Sequence, residues 1–153
     1  MLFDDLLKQV ESDPETQVDP MWLDSLMQNI DKDTTYHYLV GKTRENINNE
    51  KEEILCNYGQ SEKWSQSLAM YRVIHDIQDL RLGIHTRWIR ENPGKDPILT
   101  NGGIHVQTKF LDKGTYIVLK NGKKIMQYNL DHCKTFQKIT LEEWVVIMAN
   151  EHN

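Results

Sequence analysis

Thr115-Tyr116-Ile117-Val118-Leu119-Lys120-Asn121-Gly122-Lys123-Lys124-Ile125-Met126-Gln127-Tyr128-Asn129-Leu130 is the stretch on which the fold turns. Asn121-Gly122 separates two runs rich in β-branched and aromatic residues, and Asn-Gly readily supplies the positive φ that a type I′ turn needs at both central positions. The pattern predicts an antiparallel hairpin with strands over 115–120 and 123–130. Upstream, Ile104, Val106, Thr108 and Phe110 alternate with His105, Gln107 and Lys109, which predicts a strand with one apolar and one wet face. Asp112-Lys113-Gly114 supplies the turn between them. Arg87-Trp88-Ile89-Arg90 and residues 133–138 read as further short strands, and residues 92–97, with two prolines and a glycine, as a loop.

On both sides of this block the period is helical. Thr140 and Glu143 form a capping box ahead of Trp144, Val145 and Met148, so a closing helix starts there. Towards the N-terminus, Leu2, Phe3, Leu6, Leu7 and Val10 recur at helical spacing. Asp19-Pro20 opens a second helix with Trp22, Leu23, Leu26 and Met27 on one face, and Tyr36, Leu39, Val40, Thr43 and Ile47 belong to a third. Gly59 suits a left-handed helix C-cap, and Trp64, Leu68, Tyr71, Ile74 and Ile77 predict a helix from Ser61 to Gly83. The expectation is an α+β chain: an acidic N-terminal helical hairpin or bundle over residues 1–83, a basic, small, antiparallel five-stranded barrel over 84–139, and a closing helix over 140–153.

Charge changes where the period does. Residues 1–83 hold 8 Lys+Arg against 16 Asp+Glu, whereas residues 84–140 hold 10 against 4. Such a split points to an interaction surface, or to acidic helices that neutralise basic strands within the chain. The longest apolar run, Trp144–Ala149, is too short to span a bilayer, and Met1-Leu2-Phe3-Asp4-Asp5 lacks the basic start of a secretory signal. Cys56 and Cys133 show no CxxC spacing. These features predict an intracellular chain, in cytoplasm or nucleus, without membrane segment or disulfide framework.

Five short strands with a long first loop, tight hairpins and a brief last strand make residues 84–139 resemble the SH3-like barrels, including their Tudor-type members. Arg87-Trp88-Ile89, Leu99-Thr100-Asn101-Gly102-Gly103, Lys120-Asn121 and Phe136-Gln137-Lys138 also resemble uncharacterised proteins encoded by large DNA viruses of eukaryotes. That likeness implies a virus-factory or virion setting and carries over no catalytic residue.

No motif names a reaction, so the expected function is a non-enzymatic interaction module. Its basic barrel face is predicted to contact nucleic acid or an acidic protein surface through Arg87, Arg90, Lys109, Lys120, Lys123 and Lys124, with Trp88, Tyr116 and Tyr128 as stacking platforms. The competing account makes the aromatics barrel core and the lysines guards against edge pairing. An aromatic cage for a methylated side chain needs an acidic rim that the strands lack. Asp131-His132-Cys133 with His105 offers no second pair of zinc ligands, and His75, Asp76 and Asp79 have no nucleophile or phosphate-binding loop beside them, so no metal and no cofactor is expected. The alternative is a structural or assembly protein, such as one of a viral particle, that self-associates through helical residues such as Trp22, Leu23, Leu26 and Met27.

Overall fold

In a computed structural model, which describes residues 34–152, seven antiparallel strands form one sheet. They are β1 (Tyr71–Ile74), β2 (His85–Arg90), β3 (Ile98–Leu99), β4 (Gly103–Leu111), β5 (Gly114–Asn121), β6 (Lys124–Asn129) and β7 (Lys134–Lys138). Their order is β1-β7-β2-β4-β5-β6, with β3 attached to β2. The helices are α1 (Arg44–Leu55), α2 (Ser61–Ser67) and α3 (Leu141–Glu151). The predicted helices around Leu2–Val10 and after Asp19-Pro20 lie outside the described residues.

The expected five-stranded SH3-like barrel is overturned. All five predicted strands form, but the sheet is open and has two more members. The cause is β1, which pairs with the outer side of β7 from Tyr71↔Lys138 to Ile74↔Thr135, so β7 has no free edge left to close on β6. The predicted helix from Ser61 to Gly83 therefore stops at Ser67. Tyr71 and Ile74 fit a helical stripe and a strand alike, and a complete row of bonds to β7 decides between the two. The third predicted helix is likewise shortened. Residues 34–39 form a 3-10 stretch, and α1 starts only at Arg44, after Gly41 with φ 74. Thr43 and Asn46 cap that start reciprocally, with bonds of 2.9 and 3.2 Å.

The described residues fall into two units, 34–47 with 140–152 and 48–139. In the first, the capping box forms: the Thr140 N–H donates to Glu143 Oε1 at 2.8 Å and the Glu143 N–H to Thr140 Oγ1 at 3.1 Å. The Tyr38 hydroxyl bonds the other carboxylate oxygen of the buried Glu143 at 2.6 Å, and Arg44 pairs with Glu151 at 2.6 Å.

In the second unit the sheet curls. One apolar cluster joins Leu55, Trp64 and Leu68 of the helical segments to Val73, Ile89 and Phe136. The other joins Ile74 and Trp88 to Ile117, Leu119 and Tyr128. Because Val73 and Ile74, and Ile89 and Trp88, point to opposite sides, strands β1, β2 and β7 are covered on both faces. Trp88 of β2 stacks on Tyr128 of β6 at 4.5 Å and 11° although two strands separate them in the sheet, which measures the curl. Gln137 is fully buried and saturated: its amide nitrogen donates to the Arg81 carbonyl and Thr86 Oγ1, and its oxygen accepts from the Arg81 N–H and Arg72.

Candidate interaction surface

The β5–β6 hairpin forms, but its turn is displaced by one residue. Asn121↔Lys124 is the last pair, so Gly122 and Lys123 are the central residues. Gly122 has φ 61 and no described non-glycine residue has positive φ, which gives the type II′ pattern in place of I′.

Strand β5 sets the two faces of β4, β5 and β6. Ile117 and Leu119 point into the core, opposite Tyr128 and Met126 of β6. By alternation Tyr116, Val118 and Lys120 point the other way. Lys109 of β4 lies opposite Tyr116, Gln107 and Gln127 flank Val118, and Ile104 and Ile125 flank Lys120. Lys109, Lys120, Gln107 and Gln127 are exposed and Tyr116 is half-buried. Lys113 and the pair Lys123 and Lys124 extend the charge to the turns at the two ends of β5, a strand about 25 Å long. Residues 103–129 thus carry five lysines against one carboxylate, Asp112. Among the described residues of this unit, none of the five lysines forms an ion pair.

Four other predicted site residues stand apart. Trp88 and Tyr128 are stacked in the core, with the Tyr128 hydroxyl bonded to Thr135 Oγ1 at 3.0 Å and its pKa pushed up by burial. Arg87 is engaged internally. Its Nε donates to the Thr100 carbonyl at 2.8 Å, a guanidinium N–H donates to the Ser67 carbonyl at 3.5 Å, and the group lies 6.0 Å from the Tyr71 ring centre. Arg90 is exposed at the far end of β2, opposite Ile98 of β3. Lys109, Tyr116 and Lys120 share one face, where Gln107 and Gln127 join them; Lys113 and Lys123 stand in the turns at its two ends, and Lys124, paired with Asn121, alternates to the opposite side from Lys120. Sequence reasoning missed the two glutamines, which the register alone places beside Val118.

A cavity of about 390 Å³ brings together members of the two groups that the sequence had set aside, with His75, Asp76, Thr115, Asp131, Cys133 and Lys134 in its wall and Asp79, His105 and His132 outside it. Its carboxylates already serve the fold: Asp76 caps the following turn at 2.6 Å and Asp131 accepts the Thr115 N–H at 3.2 Å. Burial, then Glu91, raises the Cys133 pKa against the lowering by Arg90, which disfavours a thiolate nucleophile. His105 is not on a wet face. It is buried, with Nδ1 at 3.1 Å from the Arg81 carbonyl and Nε2 at 3.0 Å from Thr108 Oγ1. Among the described residues there is no group of three His, Cys, Asp or Glu placed to hold a metal ion, and no helix long and apolar enough to cross a membrane. Comparison with protein-family models, curated proteins and solved structures finds no match to this chain.

Proposed function

We propose that the outer face of β4, β5 and β6 binds single-stranded nucleic acid. The observation that carries this reading is the co-facial placement of Lys109, Tyr116 and Lys120 with Gln107 and Gln127, while Ile117, Leu119 and Tyr128 bury the other face of β5 and β6. The lysines neutralise phosphates along β5, Tyr116 offers a ring to an unpaired base, and the two amides donate to and accept from base edges. No chemistry on the partner is involved.

Fluorescence anisotropy of a labelled oligothymidylate, titrated at several salt concentrations, tests this. Changing Lys120, Lys123 and Lys124 together to Glu weakens binding and flattens the log–log salt slope by about 2, at about 0.7 per lost contact to a single strand. Tyr116→Leu keeps apolar bulk but removes the ring, and lowers affinity about tenfold for the single strand while leaving duplex binding unchanged. Unchanged affinity and slope in the triple variant would reject the assignment. Lysine-dependent binding that ignores Tyr116→Leu and is matched by polyglutamate would make the face a receptor for an acidic protein.

A further inference from the structure

The apolar alternation of Ile104, Val106, Thr108 and Phe110 finds no core of its own. A β-bulge between His105 and Gln107 breaks the register, so His105 is buried while Val106, Phe110 and Leu111 are 46%, 74% and 52% exposed. The same part of β4 has an open edge. Its pairing with the β2 side ends at His105, whose carbonyl accepts from the Gly83 N–H at 2.7 Å and whose N–H donates to the Ile84 carbonyl at 3.1 Å. At Gly83, φ 81, the chain turns away and leaves Leu82 66% exposed at the rim. From Gln107 to Leu111, β4 is bonded to β5 alone among the described residues.

Which backbone groups are unmet follows from one bond. The Thr115 N–H goes to Asp131, so Phe110↔Thr115 is not a hydrogen-bonded pair. In an antiparallel ladder such pairs alternate, so Thr108 and Phe110 aim their N–H and C=O groups away from β5. The remaining edges are better guarded: β1 is four residues long with three buried, and β6 starts at Lys124, straight after Lys123 in the turn.

We propose that this open edge joins two copies of the chain, β4 pairing antiparallel with β4 of the second copy about Thr108. In that register Val106 faces Phe110, Gln107 faces Lys109, and Thr108 faces itself. Apolar meets apolar and no like charges are opposed. Centring on Lys109 would set two lysines face to face. The contact is isologous and closes at two copies. Its two-fold axis runs perpendicular to the sheet, so the lysine faces of both copies look the same way, although the pairing itself does not depend on their function.

Sedimentation of the full chain over a concentration series, without nucleic acid, tests the pairing. The mass of wild type is expected to rise from 18.1 kDa towards twice that value, while Phe110→Lys, at an exposed position, stays at 18.1 kDa and Ile125→Lys on the far edge behaves as wild type. Amide exchange at Thr108 and Phe110 slows as concentration rises. A wild-type chain that remains at 18.1 kDa up to its solubility limit, or an oligomer that Phe110→Lys leaves intact, overturns the proposal.

Discussion

Lys51 makes the chain more stable in mild alkali than at neutral pH. Its side chain leaves α1, is 5% exposed, and donates to the Leu68 and Ala69 carbonyls at 2.9 and 3.3 Å, just past the end of α2. A cation suits a helix C-terminus, but burial dominates and lowers its pKa from 10.5 to about 8, against a smaller raising effect of Glu52. Because the folded pKa lies below the unfolded one, the unfolded chain holds more protons between the two values, and stability rises with pH across that window. Integrated from about pH 7.5 to about pH 9.5, the gain is about 2 kcal/mol. The neutral amine retains two donors, so both carbonyls stay bonded while the desolvation penalty disappears. Burial raises the pKa of Tyr128, Tyr58 and Cys133, with the opposite sign: those contributions are present at low pH and lost as pH rises through the thiol and phenol range. Urea denaturation followed by tryptophan fluorescence, comparing wild type with Lys51→Met at each pH, cancels them. The stability difference between the two proteins is expected to move by about 2 kcal/mol in favour of wild type between about pH 7.5 and about pH 9.5. A difference that stays flat would refute a buried, ionised Lys51.

Two further outcomes follow from the interior. Gln137→Leu removes one hydrogen bond each from the Arg81 N–H, the Arg81 carbonyl, the Arg72 guanidinium and Thr86 Oγ1, so a loss of about 3 kcal/mol is expected in the same denaturation assay. Gly102→Ala drives a Cβ into the Thr86 carbonyl at φ 71, and a loss of about 3 kcal/mol with a lowered melting temperature is expected, whereas Gly94→Ala, with open space around it, carries only the strain of its φ of 79.

The candidate surface was half legible in the chain. Lys109, Lys120 and Tyr116 share a face because each belongs to a hairpin strand whose register local turns fix, with Lys123 in the turn at its end. Trp88 and Tyr128 carry the same chemistry by composition, yet they stack inside the curl, and Arg87 ends on backbone carbonyls. Neither outcome is encoded in spacing.

By itself the sequence determined what neighbouring residues decide: the hairpins around Asp112-Lys113 and Gly122, the strands β2, β4, β5, β6 and β7, and the capping box at Thr140. Only tertiary structure decided that residues 71–74 are a strand, that the sheet stays open, and that His105 is buried while Phe110 is not. The physical reason is the range of the interactions. Turn and capping bonds span a few residues, whereas β1 and β7 meet across 64 positions, Tyr71 to Ile74 against Thr135 to Lys138 being offset from Ile74↔Thr135 by 61 to Tyr71↔Lys138 by 67. A row of backbone bonds formed at that distance overrides a helical stripe that is locally just as good.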